Sequence, residues 1–160
     1  MKKSGTLRLK GTSFILLFYK ERVMKKVLFV CTGNTCRSPM AECMFRAAAQ
    51  GRYEALSAGV YALSGAPARD GAKRAMQRRG LSLEGHLSRA VTSVLLDGVD
   101  LIVGMSGTHI MQLKMMYPAC RTPMIALDDP PVSDPYGGDD AAYERAACDI
   151  ARQLPRLMKD

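Results

Sequence analysis

The chain has 160 residues and a net charge of +8, with 48% hydrophobic and 24% charged residues. This is about one domain's worth of chain with an ordinary globular composition, which excludes a disordered, collagen-like or coiled-coil protein. Residues 1–26 hold eight Lys and Arg against one acidic residue, whereas residues 27–160 hold 15 basic and 14 acidic residues. Because the body is nearly neutral, it lacks the basic face of a nucleic-acid-binding protein, and we expect no nucleic-acid partner.

The N-terminal segment, residues 1–23, is basic and carries a short apolar run at 14–19. Six apolar residues are too few for a signal-peptide core or a membrane span. Met24 directly precedes a predicted strand, so we interpret Met24 as the natural start and residues 1–23 as an upstream extension or a disordered arm. A basic membrane-surface anchor is the alternative. We expect a cytoplasmic protein with no membrane partner, whose domain spans residues 24–160.

The cysteines are odd in number and irregularly spaced, which does not resemble a disulfide framework. No two of the five form a CxxC pair, and the chain has only two histidines. We therefore expect reduced thiols, no structural metal site and no cofactor. The oligomeric state has no signal in the sequence.

Strands and helices alternate along the chain. Apolar, β-branched runs predict strands at 27–30, 53–58, 100–103 and 124–127. The first helix is predicted to start after Ser38 as its N-cap, with Pro39 as its first helical residue. Three further helices are predicted at 67–80, at 88–96 and from the N-cap Ser106 to about residue 116. A last helix ends at Pro155. This order predicts an α/β fold, a doubly wound four-stranded parallel sheet with helices on both faces.

The first predicted helix carries an apolar stripe at positions i, i+3, i+4, i+7 and i+8, which we expect to face the core. Its members are Met40, Cys43, Met44, Ala47 and Ala48.

The loop at 31–37 contains residue types suited to phosphoryl transfer. It joins the carboxyl end of a buried strand to a helix N-terminus, where backbone N–H groups and the helix dipole attract an anion. Such surroundings favour a thiolate at Cys31. Arg37 offers a planar fork that matches two phosphoryl oxygens, and the Ser38 hydroxyl can donate to the thiolate. Gly33 and Asn34 tolerate the positive φ that a tight anion-binding loop requires.

The motif from Val30 to Glu42, VCTGNTCRSPMAE, resembles the signature of the low-molecular-weight protein tyrosine phosphatases. Three further segments resemble the same family, so that the resemblance covers residues 25 to about 157. They are SAG at 57–59, the segment at 80–89 with His86, Ser88 and Arg89, and SDPYGG at 133–138.

The resemblance implies a metal-free cysteine mechanism on a phosphorylated protein. Cys31 corresponds to the nucleophile that forms a phosphocysteine, Arg37 to the residue that stabilises the transferring phosphoryl group, and Asp134 to the general acid and base. Asp128 and Asp129 are rivals for the acid, but neither stands before a proline and an aromatic residue as the family pattern requires. The implied substrate-binding residues are Thr32, Gly33, Asn34, Thr35, Cys36, Ser38 and Tyr136.

Three residues outside the catalytic set have open or minor roles. Cys36 has two interpretations, a redox partner that traps oxidised Cys31 as a disulfide or a small packing residue. His86 is expected to form structural hydrogen bonds, and no function is evident for His109.

The substrate preference depends on Thr35 and on the residues after Asp134. Phosphotyrosine phosphatases of the family usually carry a bulky aliphatic residue at the position of Thr35, and often two aromatics after Asp-Pro. Here Thr35 and Tyr136-Gly137-Gly138 resemble the branch that acts on phosphoarginine in proteins, so we favour phosphoarginine, with phosphotyrosine as the alternative.

Two other classes are less consistent with the sequence. Arsenate reductases with a similar loop need two further cysteines after the third strand, and residues 81–109 contain none. A non-catalytic phosphoprotein-binding module would not need a nucleophile, an arginine and an acid together.

Overall fold

The computed structural model describes residues 24–158. The interpretation of residues 1–23 as an extension therefore lies outside the described residues. The strands are β1 (Lys25–Cys31), β2 (Tyr53–Gly59), β3 (Leu101–Gly104) and β4 (Met124–Ala126). The helices are α1 (Arg37–Ala49), α2 (Asp70–Gln77), α3 (Ser93–Asp97), α4 (Gly107–Met116) and α5 (Asp140–Gln153), followed by a 3-10 helix (Leu154–Met158).

The four strands form one parallel sheet in the order β2-β1-β3-β4. Alternate residues of β1 enter two separate apolar clusters, Phe29 on one face and Leu28 and Val30 on the other. Helices α1, α2 and α5 contribute to the Phe29 cluster, and α3 and α4 to the other. The predicted fold, a doubly wound parallel sheet covered on both faces, is confirmed.

The strand order places a switch point at β1, because the chain passes from β1 to β2 on one side and later crosses to β3 on the other. In open α/β sheets, ligands bind at the carboxyl ends of strands beside such a point. The connections that leave the four strands there begin at residues 32, 60, 105 and 127. Those after β1, β2 and β4 line the pocket described below, and the one after β3 leads to a side chain that supports its loop.

Three predicted helix positions are wrong, each because a tertiary contact replaces a local preference. Helix α1 begins at Arg37, and the Ser38 side chain does not cap it. Helix α2 begins at Asp70, because Pro67 forms a bridge with Leu87. The predicted helix at 88–96 is reduced to Ser93–Asp97, since residues 88–91 are held extended by backbone hydrogen bonds to the chain around Gly59 and Ala66.

The buried face of α1 is rotated from the predicted stripe. Met40 and Met44 are buried and Cys43 is half-buried, but Ala47 and Ala48 are exposed. Phe45 takes the central position, with its ring 5.3 Å from that of Phe29 and 5.5 Å from that of Tyr53, so the core face follows Ala41, Phe45 and Ala49.

Helix α4 agrees with its prediction. Ser106 is the N-cap and accepts a hydrogen bond from the backbone N–H of His109. Helix α5 ends at Gln153, and Pro155 lies within the 3-10 helix that follows.

Across residues 24–158, no helix combines the length and apolar character needed to cross a membrane.

Candidate active site

The 31–37 loop wraps the thiol of Cys31, which is 3% exposed. Its Sγ lies 2.9 Å from Ser38 Oγ and accepts the backbone N–H of Asn34 at 3.3 Å. The Ser38 hydroxyl therefore serves the thiol rather than the helix terminus. The Asn34 N–H donates to this sulfur, and the Ser38 hydroxyl lies within hydrogen-bond distance of it.

The start of α1 leaves backbone N–H groups free around the loop. The first intrahelical hydrogen bond is donated by Met40 to the Cys36 carbonyl at 3.2 Å. The N–H groups of Arg37 and Ser38 thus have no intrahelical acceptor, and Pro39 has no N–H to leave unpaired. The open N–H groups and the dipole of a 13-residue helix make this a site for an anion.

Asn34 fixes the shape of the loop from behind. It is fully buried and adopts φ +57, which an asparagine tolerates better than most residues. Its side-chain NH₂ donates to Ser38 Oγ at 2.9 Å and to Ser57 Oγ at 3.0 Å, and its Oδ1 accepts the backbone N–H of Arg89 at 3.0 Å.

Two histidines support the same loop. His86 Nε2 lies 2.8 Å from the Asn34 carbonyl oxygen, which confirms the expected structural hydrogen bond. His109 is 4% exposed, with Nε2 2.9 Å from Thr32 Oγ1 and Nδ1 2.9 Å from Ser106 Oγ. Burial, together with the charge of Arg37, lowers the pKa of His109 to about 4, so its ring is neutral at pH 7. The sequence made no function evident for His109, and the structure shows that it supports the 31–37 loop through Thr32.

The position of His109 near the 31–37 loop could have been predicted from the sequence. Ser106 lies just after the carboxyl end of β3 and caps α4, so a side chain in the first turn of α4 is carried to the same edge of the sheet as the 31–37 loop.

Above the loop is a pocket of about 370 Å³. Eight of the ten predicted site residues line it, including Cys31, Arg37 and Asp134. The other two, Asn34 and Ser38, are buried behind it and hold the loop.

Arg37 and Asp134 face each other in this pocket. Arg37 Nη2 lies 3.3 Å from Asp134 Oδ2. The two residues are 97 positions apart in the sequence, and they meet because the loop that follows β4 returns over the 31–37 loop. The rival acids Asp128 and Asp129 do not line the pocket; Asp128 forms a bridge with Pro131, and the Asp129 N–H donates to Gln153 Oε1 at 3.3 Å.

Cys36 is buried in the wall of the same pocket as Cys31. Its Sγ lies 3.5 Å from the Tyr143 hydroxyl and 3.8 Å from Thr35 Oγ1. Burial raises the pKa of the Cys36 thiol above its ordinary value, so the protonated form is favoured there. All five cysteines are free thiols.

The pocket also includes residues that the sequence analysis missed. The loop after β2 contributes Tyr61, Leu63, Ala66 and Arg69. Extending the carboxyl-end rule from β1 to β2 would have placed this loop beside the 31–37 loop. Within residues 24–158, no group of three or more His, Cys, Asp or Glu side chains is arranged to hold a metal ion.

Comparison with known proteins places this arrangement in a family. Residues 26–160 match the family model of low molecular weight phosphotyrosine protein phosphatases. The chain is 34% identical over 133 residues to the probable low molecular weight protein-tyrosine-phosphatase EpsP of Ralstonia solanacearum, covering 81% of this chain and 91% of that protein. It is 31% identical over 142 residues to the protein-arginine-phosphatase of Bacillus subtilis, covering 83% and 94%.

A solved structure is similar over the same region. It is a cysteine-to-serine mutant of the YwlE arginine phosphatase with a phosphorylated active-site serine, 30% identical with a TM-score of 0.78, over 82% of this chain and 92% of that one. The match of the family model, the sequence relatives and the shared fold agree, and the chain belongs to the low molecular weight phosphotyrosine protein phosphatases, a family of hydrolases.

Proposed function

We propose that residues 24–160 form a phosphatase domain that hydrolyses phosphoproteins through a phosphocysteine on Cys31, with phosphoarginine as the preferred substrate. The observation that carries the mechanism is the meeting of a thiol, a guanidinium and a carboxylate, those of Cys31, Arg37 and Asp134, in one pocket. The YwlE mutant supports the covalent step, because its active-site serine carries the phosphoryl group.

In the first step, the Cys31 thiolate attacks phosphorus while Arg37 and the loop N–H groups bind the equatorial oxygens. The S–P bond forms, and the bond from phosphorus to the substrate nitrogen or oxygen breaks. Asp134, in its protonated form, gives its proton to the leaving atom.

In the second step, the Asp134 carboxylate takes a proton from water, and the water oxygen attacks phosphorus. The S–P bond breaks, inorganic phosphate leaves, and Cys31 returns as a thiolate. Ser38 Oγ and the Asn34 N–H, which both lie against Sγ, stabilise the thiolate as the leaving group.

The preference for phosphoarginine rests on Thr35. This side chain lines the pocket, and among residues 24–158 its hydroxyl has no polar partner nearer than Cys36 Sγ at 3.8 Å. It is therefore available to a polar leaving group such as a guanidine, which an aliphatic residue could not hydrogen-bond. The relative in Bacillus subtilis is named as a protein-arginine-phosphatase.

Phosphotyrosine is the second candidate, and the mouth of the pocket favours it. Tyr61, Leu63 and Tyr136 expose large side chains there, and a phenyl ring could pack against them. EpsP is named as a probable protein-tyrosine-phosphatase.

The test compares two peptides of one sequence, with phosphoarginine or phosphotyrosine at the same position. We expect phosphate release from both and a higher kcat/KM for phosphoarginine. A higher kcat/KM for phosphotyrosine would overturn the preference, and release from neither would overturn the proposed function itself.

A further inference from the structure

Arg69 lies at the rim of the catalytic pocket and is held in place at both ends. Its backbone N–H donates to the Thr35 carbonyl at 2.9 Å, which ties it to the 31–37 loop. Its guanidinium carbon lies 4.8 Å from the centre of the Tyr136 ring, and Nη2 donates to the Tyr136 hydroxyl at 3.3 Å. Stacking on an aromatic face orients a guanidinium and leaves its outer N–H groups free.

The charge of Arg69 is not neutralised by a carboxylate. The four basic residues on and directly after α2 all form ion pairs, namely Lys73 with Glu84, Arg74 with Asp140, and Arg78 and Arg79 with Glu144. Within residues 24–158, no Asp or Glu oxygen lies within 4.0 Å of an Arg69 side-chain nitrogen. The rim of the pocket therefore presents an oriented cation with unused donors.

Arg69 and Tyr136 also line a second depression of about 340 Å³ next to the catalytic pocket. The rest of its wall is formed by Asp70, Gly71, Arg74, Gly137, Gly138 and Tyr143, and Arg74 is already paired with Asp140. The stacked pair is thus common to both hollows. A peptide that places its phosphorylated residue over Cys31 would carry a neighbouring side chain across Arg69.

We propose that Arg69, stacked on Tyr136, binds an acidic side chain of the substrate close to the phosphorylated residue, so that this phosphatase selects phosphoproteins with Asp or Glu at that place. The inference rests on the proposed function. A carboxylate is the matching ligand because the guanidinium fork can donate two parallel N–H bonds to its two oxygens.

The competing assignment is that Arg69 binds the phosphoryl group itself. The two assignments differ in what they predict. An arginine on the phosphoryl group would raise kcat/KM for every substrate by the same factor, whereas an arginine on a flanking side chain changes only the ratio between acidic and neutral peptides.

The experiment measures kcat/KM for phosphotyrosine peptides, which are chemically stable. One of the two residues that flank phosphotyrosine is varied at a time, as Asp, Asn or Lys. We expect the Asp peptide to exceed the Asn peptide by about 3- to 10-fold at one position, as for an oriented, partly exposed ion pair. The preference should weaken as salt is added.

Variants of Arg69 test the assignment. In Arg69→Gln the Asp-to-Asn ratio should fall to about 1, and in Arg69→Glu the Lys peptide should become the best of the three. Arg121→Gln is the matched control. Arg121 is also exposed, and it forms no ion pair among the described residues. It precedes β4 at the opposite edge of the sheet, so this variant should keep the wild-type ratio of Asp to Asn peptides.

The outcomes separate this inference from the function on which it rests. Phosphate release with equal rates for Asp and Asn peptides overturns the role of Arg69 and leaves the phosphatase function standing. A wild-type preference that survives in Arg69→Gln, or an equal loss for all peptides in that variant, also overturns it. No release from any peptide overturns the proposed function instead.

Discussion

Arg37 Nη2 and Asp134 Oδ2 form an ion pair at 3.3 Å inside the pocket above the 31–37 loop. The Arg37 side chain is 9% exposed and the Asp134 side chain 55% exposed, so the arginine is enclosed by the protein and the carboxylate is open to solvent. Asp134 Oδ1 also accepts the backbone N–H of Tyr136 at 3.1 Å. In the mechanism we propose, a phosphoryl dianion that enters the loop takes the place of the carboxylate at Arg37 and leaves Asp134 facing the leaving atom.

Asp134→Asn should lower kcat by roughly 10²–10⁴ for phosphopeptides, because their leaving groups need a proton. The loss should be much smaller for p-nitrophenyl phosphate, whose leaving group is stable as an anion. Asp128→Asn and Asp129→Asn serve as controls on the same loop. If either control lost activity while Asp134→Asn did not, the acid would be misassigned.

Cys31→Ser should remove turnover while the fold is kept, because a serine hydroxyl at this site ionises far less readily than a thiol. Incubation with a phosphopeptide should leave a phosphoryl group on Ser at position 31, visible by mass spectrometry of the intact protein and its peptides. Circular dichroism checks the fold. Sustained phosphate release by the folded variant would contradict the nucleophile.

Thr35 should control the choice between phosphoarginine and phosphotyrosine. Thr35→Val removes the hydroxyl at nearly constant shape, and the unpaired polar leaving group then costs roughly 1–3 kcal/mol. Thr35→Ile likewise removes the hydroxyl, and compared with Thr35→Val it adds one methylene against which a phenyl ring can pack, worth about 0.8 kcal/mol. We expect the kcat/KM ratio of phosphoarginine to phosphotyrosine to fall by roughly ten- to several-hundred-fold in Thr35→Ile.

The control is Thr35→Ser, which keeps the hydroxyl and should keep most of the wild-type ratio. An unchanged ratio in both Thr35→Val and Thr35→Ile would show that the hydroxyl does not contact the leaving group.

His109 should make the stability of the protein depend on pH. Its pKa in the folded chain is about 4, against an ordinary value of 6.5, so between these two values the unfolded chain binds more protons than the folded one. The free energy of unfolding contributed by His109 therefore falls as the pH falls from 6.5 to 4, by roughly 3 kcal/mol.

His109→Gln removes this titration, so its free energy of unfolding should fall less than that of the wild type between pH 7 and pH 4. Urea unfolding at both pH values measures the difference, and the contributions of all other groups are common to both proteins. Parallel pH dependence in the two proteins would show that the imidazole is not held neutral.

The parts of the site that the sequence predicted are those in which the chemistry lies in consecutive residues. Cys31, Arg37 and Ser38 belong to one strand–loop–helix unit, so their spacing predicts an anion-binding loop that holds a thiol and a guanidinium, while their catalytic roles are implied by the family resemblance. Asp134 was singled out by the resemblance of its Asp-Pro-aromatic segment to the family pattern, although only the fold shows it against Arg37.

The parts that the sequence did not predict depend on contacts between distant segments. Arg69 was placed inside a helix because Pro67 is a favourable helix start, but its N–H is bound by the Thr35 carbonyl instead. Residues 88–91 have helical composition and are nevertheless held extended beside Gly59. In both cases a backbone hydrogen bond, to the 31–37 loop or to Gly59 at the end of β2, outweighs a helix propensity of a few tenths of a kcal/mol per residue.

Gly59 sets how closely the end of β2 approaches the 31–37 loop. A Cβ at this position would collide with the Thr32 carbonyl oxygen and with Ala62, and the N–H groups of Val60 and Tyr61 already donate to Cys31 and Thr32. The anion cradle is thus built into the backbone of the sheet. The exposed side chains above it, such as Leu63 and Tyr136, contribute little to that scaffold. Evolution can therefore change which phosphorylated residue this enzyme accepts by exchanging rim side chains, at small risk to its folding or its chemistry.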